Sequence, residues 1–288
     1  MIIVPGIASI NLSKKLAKIM NAKIANLEYK IFPDGESYIR IVDDVKDDVV
    51  IVNSTYPNQD KRLIELFLLI DNLKDLGAKK IKVVVPYIAY ARQDMRFREG
   101  EAISINTILK LIEKIGADEF ITIDIHKEHS LNTIKIKAKN LNAIEVIADY
   151  LKNISFNEPY VLAPDKGALE RAKKLGEIMK CEYGYFEKYR DRISGAIRIE
   201  GIDIDFKDRD VIIIDDVIST GGTIANTAKI VKEKGAKRII AICTHALLIK
   251  DALEKMKNAG VDEIISTDTV ENEFSKITVA PLIARELC

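Results

Sequence analysis

LGAKKIKVVVPYI, residues 76–88, runs from a basic amphipathic stretch through Gly77 and two lysines into a β-branched run. Such an order reads as a helix that ends at a left-handed glycine, a short connection, and a strand buried on both faces. The same grammar returns in IGADEFITIDIH from Ile115, KGAKRIIAICTHAL from Lys234 and AGVDEIISTDTV from Ala259. Gly77, Gly116, Gly235 and Gly260 therefore punctuate helix-to-strand junctions rather than touch a ligand. Alternating helices and apolar strands predict a mainly parallel sheet covered by helices on both sides.

Two of these junctions fall in each half of the chain, and no short period runs throughout, so two similar α/β domains are expected rather than a solenoid. The boundary is placed near the helix AIEVIADYLKN, residues 143–153, giving domains at 1–143 and 144–276 with a tail at 277–288. MIIV is read as the first strand and SKKLAKIM as the helix after it. SYIRIVDDVKDDVVIVNS reads as two strands joined by a charged turn. The tail, SKITVAPLIAREL, reads as a strand and a short helix, and because a terminal strand often returns to an earlier sheet, the tail is expected to belong to the first domain.

A chain of 288 residues can build such cores without disulfide or metal staples. Its 44 basic and 44 acidic residues cancel, so neither nucleic acid nor a membrane surface is an expected partner, and any anion binding must be local. Cys181, Cys243 and Cys288 are odd in number and lack metal-type pairing, which points to a reducing compartment. MIIVPGIASI has no basic head or cleavage site, and no apolar run approaches a membrane span. A cytoplasmic protein is the expectation.

The chemistry concentrates in VIIIDDVISTGGT, residues 211–223. Val211 to Ile214 reads as a buried strand, which sets Asp215 and Asp216 at its carboxyl end, where parallel sheets present their ligands. Ser219, Thr220, Gly221, Gly222 and Thr223 then lead into a helix. Glycines let backbone N–H groups close on an anion, hydroxyls add donors, and the helix start adds a favourable dipole. Carboxylates repel phosphate but accept from the paired hydroxyls of a sugar. Together they describe a ribose 5-phosphate seat. A capping acid and a plain Gly-Gly turn are the simpler alternative, but caps have no need of consecutive acids after an apolar run.

This stretch resembles the phosphoribosyl-diphosphate signature of type I phosphoribosyltransferases. FPDGESYIRI from Phe32, PYIAYARQDMRFREGEAIS from Pro86, TIDIHKEH from Thr122 and APDKGALERAKKLG from Ala163, arranged around it in this order, narrow the likeness. Over nearly the whole chain they resemble the ribose-phosphate diphosphokinases, also called phosphoribosyl pyrophosphate synthetases. The resemblance implies two phosphoribosyltransferase-like domains that move the diphosphoryl group of Mg-ATP onto the anomeric hydroxyl of ribose 5-phosphate. A phosphoribosyltransferase would share the phosphate loop without needing ARQDMRFR, and a non-catalytic regulatory subunit would not need His126, Lys188 and the acid pair.

Residue by residue, the resemblance implies that Arg92 and Gln93 contact ATP and that Asp34, Gly35 and Glu36 reach the adenine of a neighbouring subunit, so at least a dimer is expected. On their own, PDGE is a good turn and Asp94, Arg96 and Arg98 read equally as a solvated charge cluster. His126 and Asp165 match positions that bind the accompanying Mg²⁺. Read alone, His126 is an ordinary histidine at a strand end, and His129 takes no role. Asp165, Lys166, Gly167 and Ala168 match the diphosphate loop, with Ala168 where a second glycine is common. Lys188 and Arg190, in YFEKYRDRISGAIRI, match the basic residues of a catalytic loop, with Arg190 also on the ribose 5-phosphate side. Read alone, they are charges on a solvated hairpin. Tyr189 stands where many relatives carry another basic residue, and Ser219 where an Asp is frequent.

Overall fold

The computed structural model describes residues 1–190, 197–200 and 204–288, with residues 187–190 and 197–200 described as backbone. The chain forms two compact units. One comprises Met1–Asn142 with Thr269–Glu271 and Thr278–Cys288, the other Ala143–Asp268 with Asn272–Ile277.

In the first unit the elements are β1 (Ile2–Pro5), α1 (Ile10–Met20), β2 (Lys23–Ile24), β3 (Leu27–Ile31), β4 (Ser37–Ile41), β5 (Asp48–Val52), α2 (Gln59–Asp75), β6 (Lys80–Val85), α3 (Ser104–Ile115), β7 (Glu119–Ile123) and β8 (Lys137–Leu141). Six of the strands make a parallel sheet in the order β2-β1-β5-β6-β7-β8, while β3 and β4 pair antiparallel as a separate ribbon. The second unit contains α4 (Ile144–Leu151), β9 (Tyr160–Ala163), α5 (Leu169–Met179), β10 (Glu182–Tyr185), β11 (Glu187–Arg190), β12 (Ile197–Glu200), β13 (Asp210–Ile218), α6 (Gly222–Glu233), β14 (Arg238–Ala246), α7 (Ala252–Asn258), β15 (Glu263–Thr267) and β16 (Ser275–Ile277). Its parallel sheet runs β10-β9-β13-β14-β15-β16, and β11 pairs antiparallel with β12. A last helix, α8 (Ala280–Leu287), belongs to the first unit.

Both sheets follow one plan. The second strand adds on one side of the first, the later ones add on the other, and an antiparallel ribbon is inserted between the second and third. Strand order thus reverses between β1 and β5 in one unit and between β9 and β13 in the other. Reversal points of this kind open a crevice at the carboxyl ends of the strands.

The glycine junctions fold as read. Gly77 has φ +83°, its amide donates to the Lys74 carbonyl at 3.0 Å, and the Ala78 amide donates to the Leu73 carbonyl at 3.0 Å. That double closure uses up helix carbonyls and releases the chain into β6, whose Val83, Val84 and Val85 are fully buried. The same pair of bonds closes α6 at Gly235 and α7 at Gly260.

The structure adds detail to three of these readings. β4 and β5 are the two strands read from SYIRIVDDVKDDVVIVNS, but β4 pairs with β3 and β5 enters the core sheet. The tail strand β16 pairs with β15 in the second unit, so only α8 and its approach join the first. Helix α1 starts at Ile10, before SKKLAKIM, because the Glu271 carboxylate accepts from the Leu12 amide and from Asn11 Nδ2, each at 2.8 Å. An anion there offsets the positive end of the helix.

Candidate active site

Strand β13 runs past Ile214, the end read from sequence, to Ile218. Its partner β14 holds it throughout, pairing Asp215 with Cys243, Val217 with His245 and Ile218 with Ala246. On the other side β9 pairs only with Val211 to Ile213. Asp215 and Asp216 are therefore strand residues with one open edge at the crevice between β9 and β13. The Asp216 amide donates to the Asp215 carboxylate at 2.9 Å, and the Val217 amide donates to the Asp216 carboxylate at 2.8 Å. Burial, and then the neighbouring Asp216 charge with a contribution from Asp165, pushes the Asp215 carboxyl up to about 8. The crevice thus concentrates negative charge that a hydroxyl donor or a cation would relieve.

The loop 219–223 turns from β13 into α6. Gly221 sits at φ +71°, and a Cβ built there would lie 3.0 Å from the Ala252 carbonyl oxygen and 3.2 Å from Met256 Cγ. Only glycine meets both demands. At Gly222 an added Cβ meets nothing nearer than Thr220 Oγ1 at 3.9 Å, so the protein itself leaves space on that side. The loop is braced from behind, with the Ser219 carbonyl accepting from the Ile249 amide at 3.0 Å and the Ile218 carbonyl accepting from the Leu247 and Leu248 amides at 2.9 and 3.1 Å. Thr220 is exposed, with Ser219, Gly222 and Thr223 half-buried around the α6 amino terminus. This is an anion seat of backbone donors, hydroxyls and helix dipole.

The facing loop follows β9. Asp165 accepts from the Gly167 amide at 3.0 Å, and a tight turn over Lys166–Ala168 opens α5. Ala168 has φ −94°, so its methyl costs the backbone nothing. Lys188 and Arg190 lie on β11, opposite Ile199 and Ile197 of β12, and their side chains lie outside the described residues.

In the first unit two candidate loops leave adjacent strands at the same sheet edge. After β6, Tyr90 adopts φ +65° and its hydroxyl bonds Asp60. The Gln93 amide then donates to the Tyr90 carbonyl at 3.1 Å, leaving Arg92 exposed and Gln93 half-buried. After β7 the chain continues to His126, which is exposed and lies beyond the strand, since β7 ends at Ile123. His129 Nε2 lies 3.4 Å from the Asp94 carboxylate, whose side chain is buried, so the loops carrying Arg92 and His126 meet. Sequence reasoning gave His129 no role, and nothing local marks it. It gave no separate role to Glu101, whose carboxylate accepts from the Phe97 and Arg98 amides at 2.8 and 3.1 Å and so shapes the arginine loop.

Asp34, Gly35 and Glu36 form the tip of the β3–β4 ribbon. Gly35 has φ +96°, its amide donates to the Phe32 carbonyl at 2.8 Å, and the Glu36 amide donates to the Asp34 carboxylate at 3.2 Å. Among the described residues, no group of three or more His, Cys, Asp and Glu side chains is arranged to hold a metal ion, and no helix is long and apolar enough to cross a membrane.

Comparison with known proteins extends this picture. Residues 1–116 match the family model of the N-terminal domain of ribose phosphate pyrophosphokinase, and residues 130–279 match that of the phosphoribosyl transferase domain. The chain is 44% identical to a ribose-phosphate pyrophosphokinase of Sulfurisphaera tokodaii and 42% identical to one of Sulfolobus acidocaldarius, in each case over 100% of both chains. It is also similar to the crystal structure of a phosphoribosylpyrophosphate synthetase from Mycobacterium smegmatis, with TM-score 0.88 and 27% identity, covering 99% of this chain and 97% of that one.

Proposed function

The chain belongs to the ribose-phosphate pyrophosphokinase family, and from that premise we propose how its residues carry the reaction. The enzyme transfers the diphosphoryl group of ATP to ribose 5-phosphate, giving 5-phosphoribosyl 1-diphosphate and AMP for nucleotide biosynthesis. The anomeric oxygen forms a bond to the β-phosphorus and loses its proton, while the bond from that phosphorus to the α-phosphate bridge breaks and AMP departs. Such a transfer needs positioning and charge neutralisation more than covalent help.

The observation that carries the reading is the acid pair and the glycine-hydroxyl loop meeting at one crevice. Ser219 to Thr223 take the 5-phosphate through backbone and hydroxyl donors, and Asp215 and Asp216 accept from the ring hydroxyls. Those donors favour ionised Asp215 over the protonated form that burial prefers. Arg92 and Gln93 bind ATP, the arginine fork suiting phosphate or stacking on the base. Lys188 and Arg190 are assigned to neutralise charge that develops on the transferring group, and Arg190 also to bind the sugar phosphate.

Mg²⁺ is carried with ATP, and when bound it neutralises phosphate charge. Asp165 supplies a carboxylate of the kind this ion prefers, and His126 acts at most through a bound water. An ion held mainly by phosphates and water needs only one or two protein ligands. The protein is proposed to be cytoplasmic, in keeping with its free Cys181, Cys243 and Cys288. It is further proposed to assemble with itself, at least as a dimer, the turn Asp34–Glu36 serving the neighbour's adenine. Exposed Ile31 and Phe32 beside that turn are suited to such a contact.

Incubation with Mg-ATP and ribose 5-phosphate tests the reading. AMP should appear in step with 5-phosphoribosyl 1-diphosphate. Activity confined to a nucleobase plus that diphosphate would instead mark a phosphoribosyltransferase, and silence would favour a regulatory subunit.

A further inference from the structure

We propose that Glu65 is a positioning residue for ATP binding, clamping both strands of the β3–β4 ribbon to helix α2 and so fixing the turn Asp34–Gly35–Glu36. The inference rests on the reading of that turn as an ATP contact, and it supplies what holds the turn in place.

The ribbon stands outside the main sheet. A two-stranded hairpin alone is marginal in water, so its geometry must come from what it leans on. Among the described residues, Glu65 is the one side chain of α2 that bonds both strands. Tyr29 Oη, from β3, donates to Glu65 Oε1 at 2.9 Å, and Ser37 Oγ, from β4, donates to the same oxygen at 2.7 Å. Arg62 Nη1 donates to Oε2 at 2.6 Å and supplies the countercharge. Ser37 directly follows Glu36. One turn earlier on the helix, Lys61 Nζ donates to the Gly35 carbonyl at 3.2 Å, a second tie to the tip itself.

Burial makes the choice of residue informative. The Glu65 side chain is 1% exposed, among fully buried Leu66, Leu69 and Ile70 of the same helix. A leucine would fill that place at lower desolvation cost, and a buried carboxylate is tolerated only when neutralised and hydrogen-bonded. Its use here lies in what it bonds. An exposed cross-strand pair, Arg40 with Glu28 at 2.9 Å, lies on the same ribbon and serves as the comparison.

The test compares Glu65→Leu, Glu65→Gln, Glu28→Ala and Asp34→Ala in the full-length protein. Steady-state kinetics and hydrogen exchange at the ribbon amides are the readouts. Glu65→Leu should raise KM for ATP by about tenfold or more while kcat and KM for ribose 5-phosphate stay within about twofold. Exchange protection should fall across Leu27–Ile31 and Ser37–Ile41 and persist in the core sheet. Glu65→Gln keeps an acceptor for Tyr29 and Ser37 and should fall between, with Glu28→Ala unchanged. Unchanged KM for ATP in Glu65→Leu, with a raised value in Asp34→Ala, overturns the clamp while sparing the turn. Lower kcat at constant KM also overturns it, as a merely structural role. Unchanged KM in both variants overturns the turn as an ATP contact and the proposal with it.

Discussion

Asp216 donates its backbone N–H to the carboxylate of Asp215 at 2.9 Å, so two acids that repel each other are also tied together at one strand end. Burial is the larger reason that Asp215 holds its proton to about 8, and the Asp216 charge is the next. Below about pH 4 folded and unfolded chains both carry this proton. Between there and about 8 the unfolded chain has released it and the folded chain has not, so this group's contribution to stability declines as pH rises and then levels off. Ribose 5-phosphate should show the opposite trend, since its hydroxyls need the ionised acceptor. Its affinity should climb by at most about tenfold per pH unit up to the Asp215 titration and then flatten. Calorimetric titration of wild type against Asp215→Asn checks this. The Asp215→Asn protein should retain only the slope of the sugar's own phosphate.

The two glycines of the phosphate loop should separate fold from function. Gly221→Ala forces a methyl into a left-handed backbone against the Ala252 carbonyl, and a loss of roughly 1–2 kcal/mol in denaturant unfolding is expected. Gly222→Ala meets open space in the protein, so its unfolding free energy should stay within about 0.5 kcal/mol of wild type. It should nevertheless bind ribose 5-phosphate more weakly, because the methyl occupies the approach to the backbone donors. Equal ligand affinity in Gly222→Ala and wild type would contradict that placement.

Asp215→Ala removes an acceptor for the sugar while leaving the arginine loop of the first unit intact. Its KM for ribose 5-phosphate should rise by more than its KM for ATP, by about tenfold or more for one charged hydrogen-bonding group. The reverse order would refute the assignment of the acids to the pentose.

Lys188 is proposed to act where charge develops. Lys188→Ala should lower kcat by about a hundredfold or more with little change in either KM, because an interaction made in the transition state leaves ground-state binding alone. Single-turnover kinetics would locate the loss in the chemical step. A matching fall in ATP affinity would assign the lysine to binding instead.

Much of this was legible because it is local. Glycine after an amphipathic stretch, and Asp-Asp before a Ser-Thr-Gly-Gly-Thr loop, declare backbone geometry and chemistry within a few neighbouring residues. What escaped depends on partners far along the chain. β13 reaches Ile218 because β14 pairs with it to that point, and α1 begins at Ile10 because Glu271 returns to its amino end. The meeting of His129 with Asp94 and the grip of Glu65 on Tyr29 and Ser37 likewise join residues whose spacing carries no periodic signal. Strand β16 joins β15, again a pairing that no local pattern announces.

The most direct measurement is a crystal structure of the full-length protein with ribose 5-phosphate and a non-hydrolysable ATP analogue. Phosphate oxygens should accept from the backbone and hydroxyls of Ser219 to Thr223, with the ring hydroxyls donating to Asp215 and Asp216. Density for the sugar phosphate at another place, with that loop and both carboxylates untouched, would contradict the account.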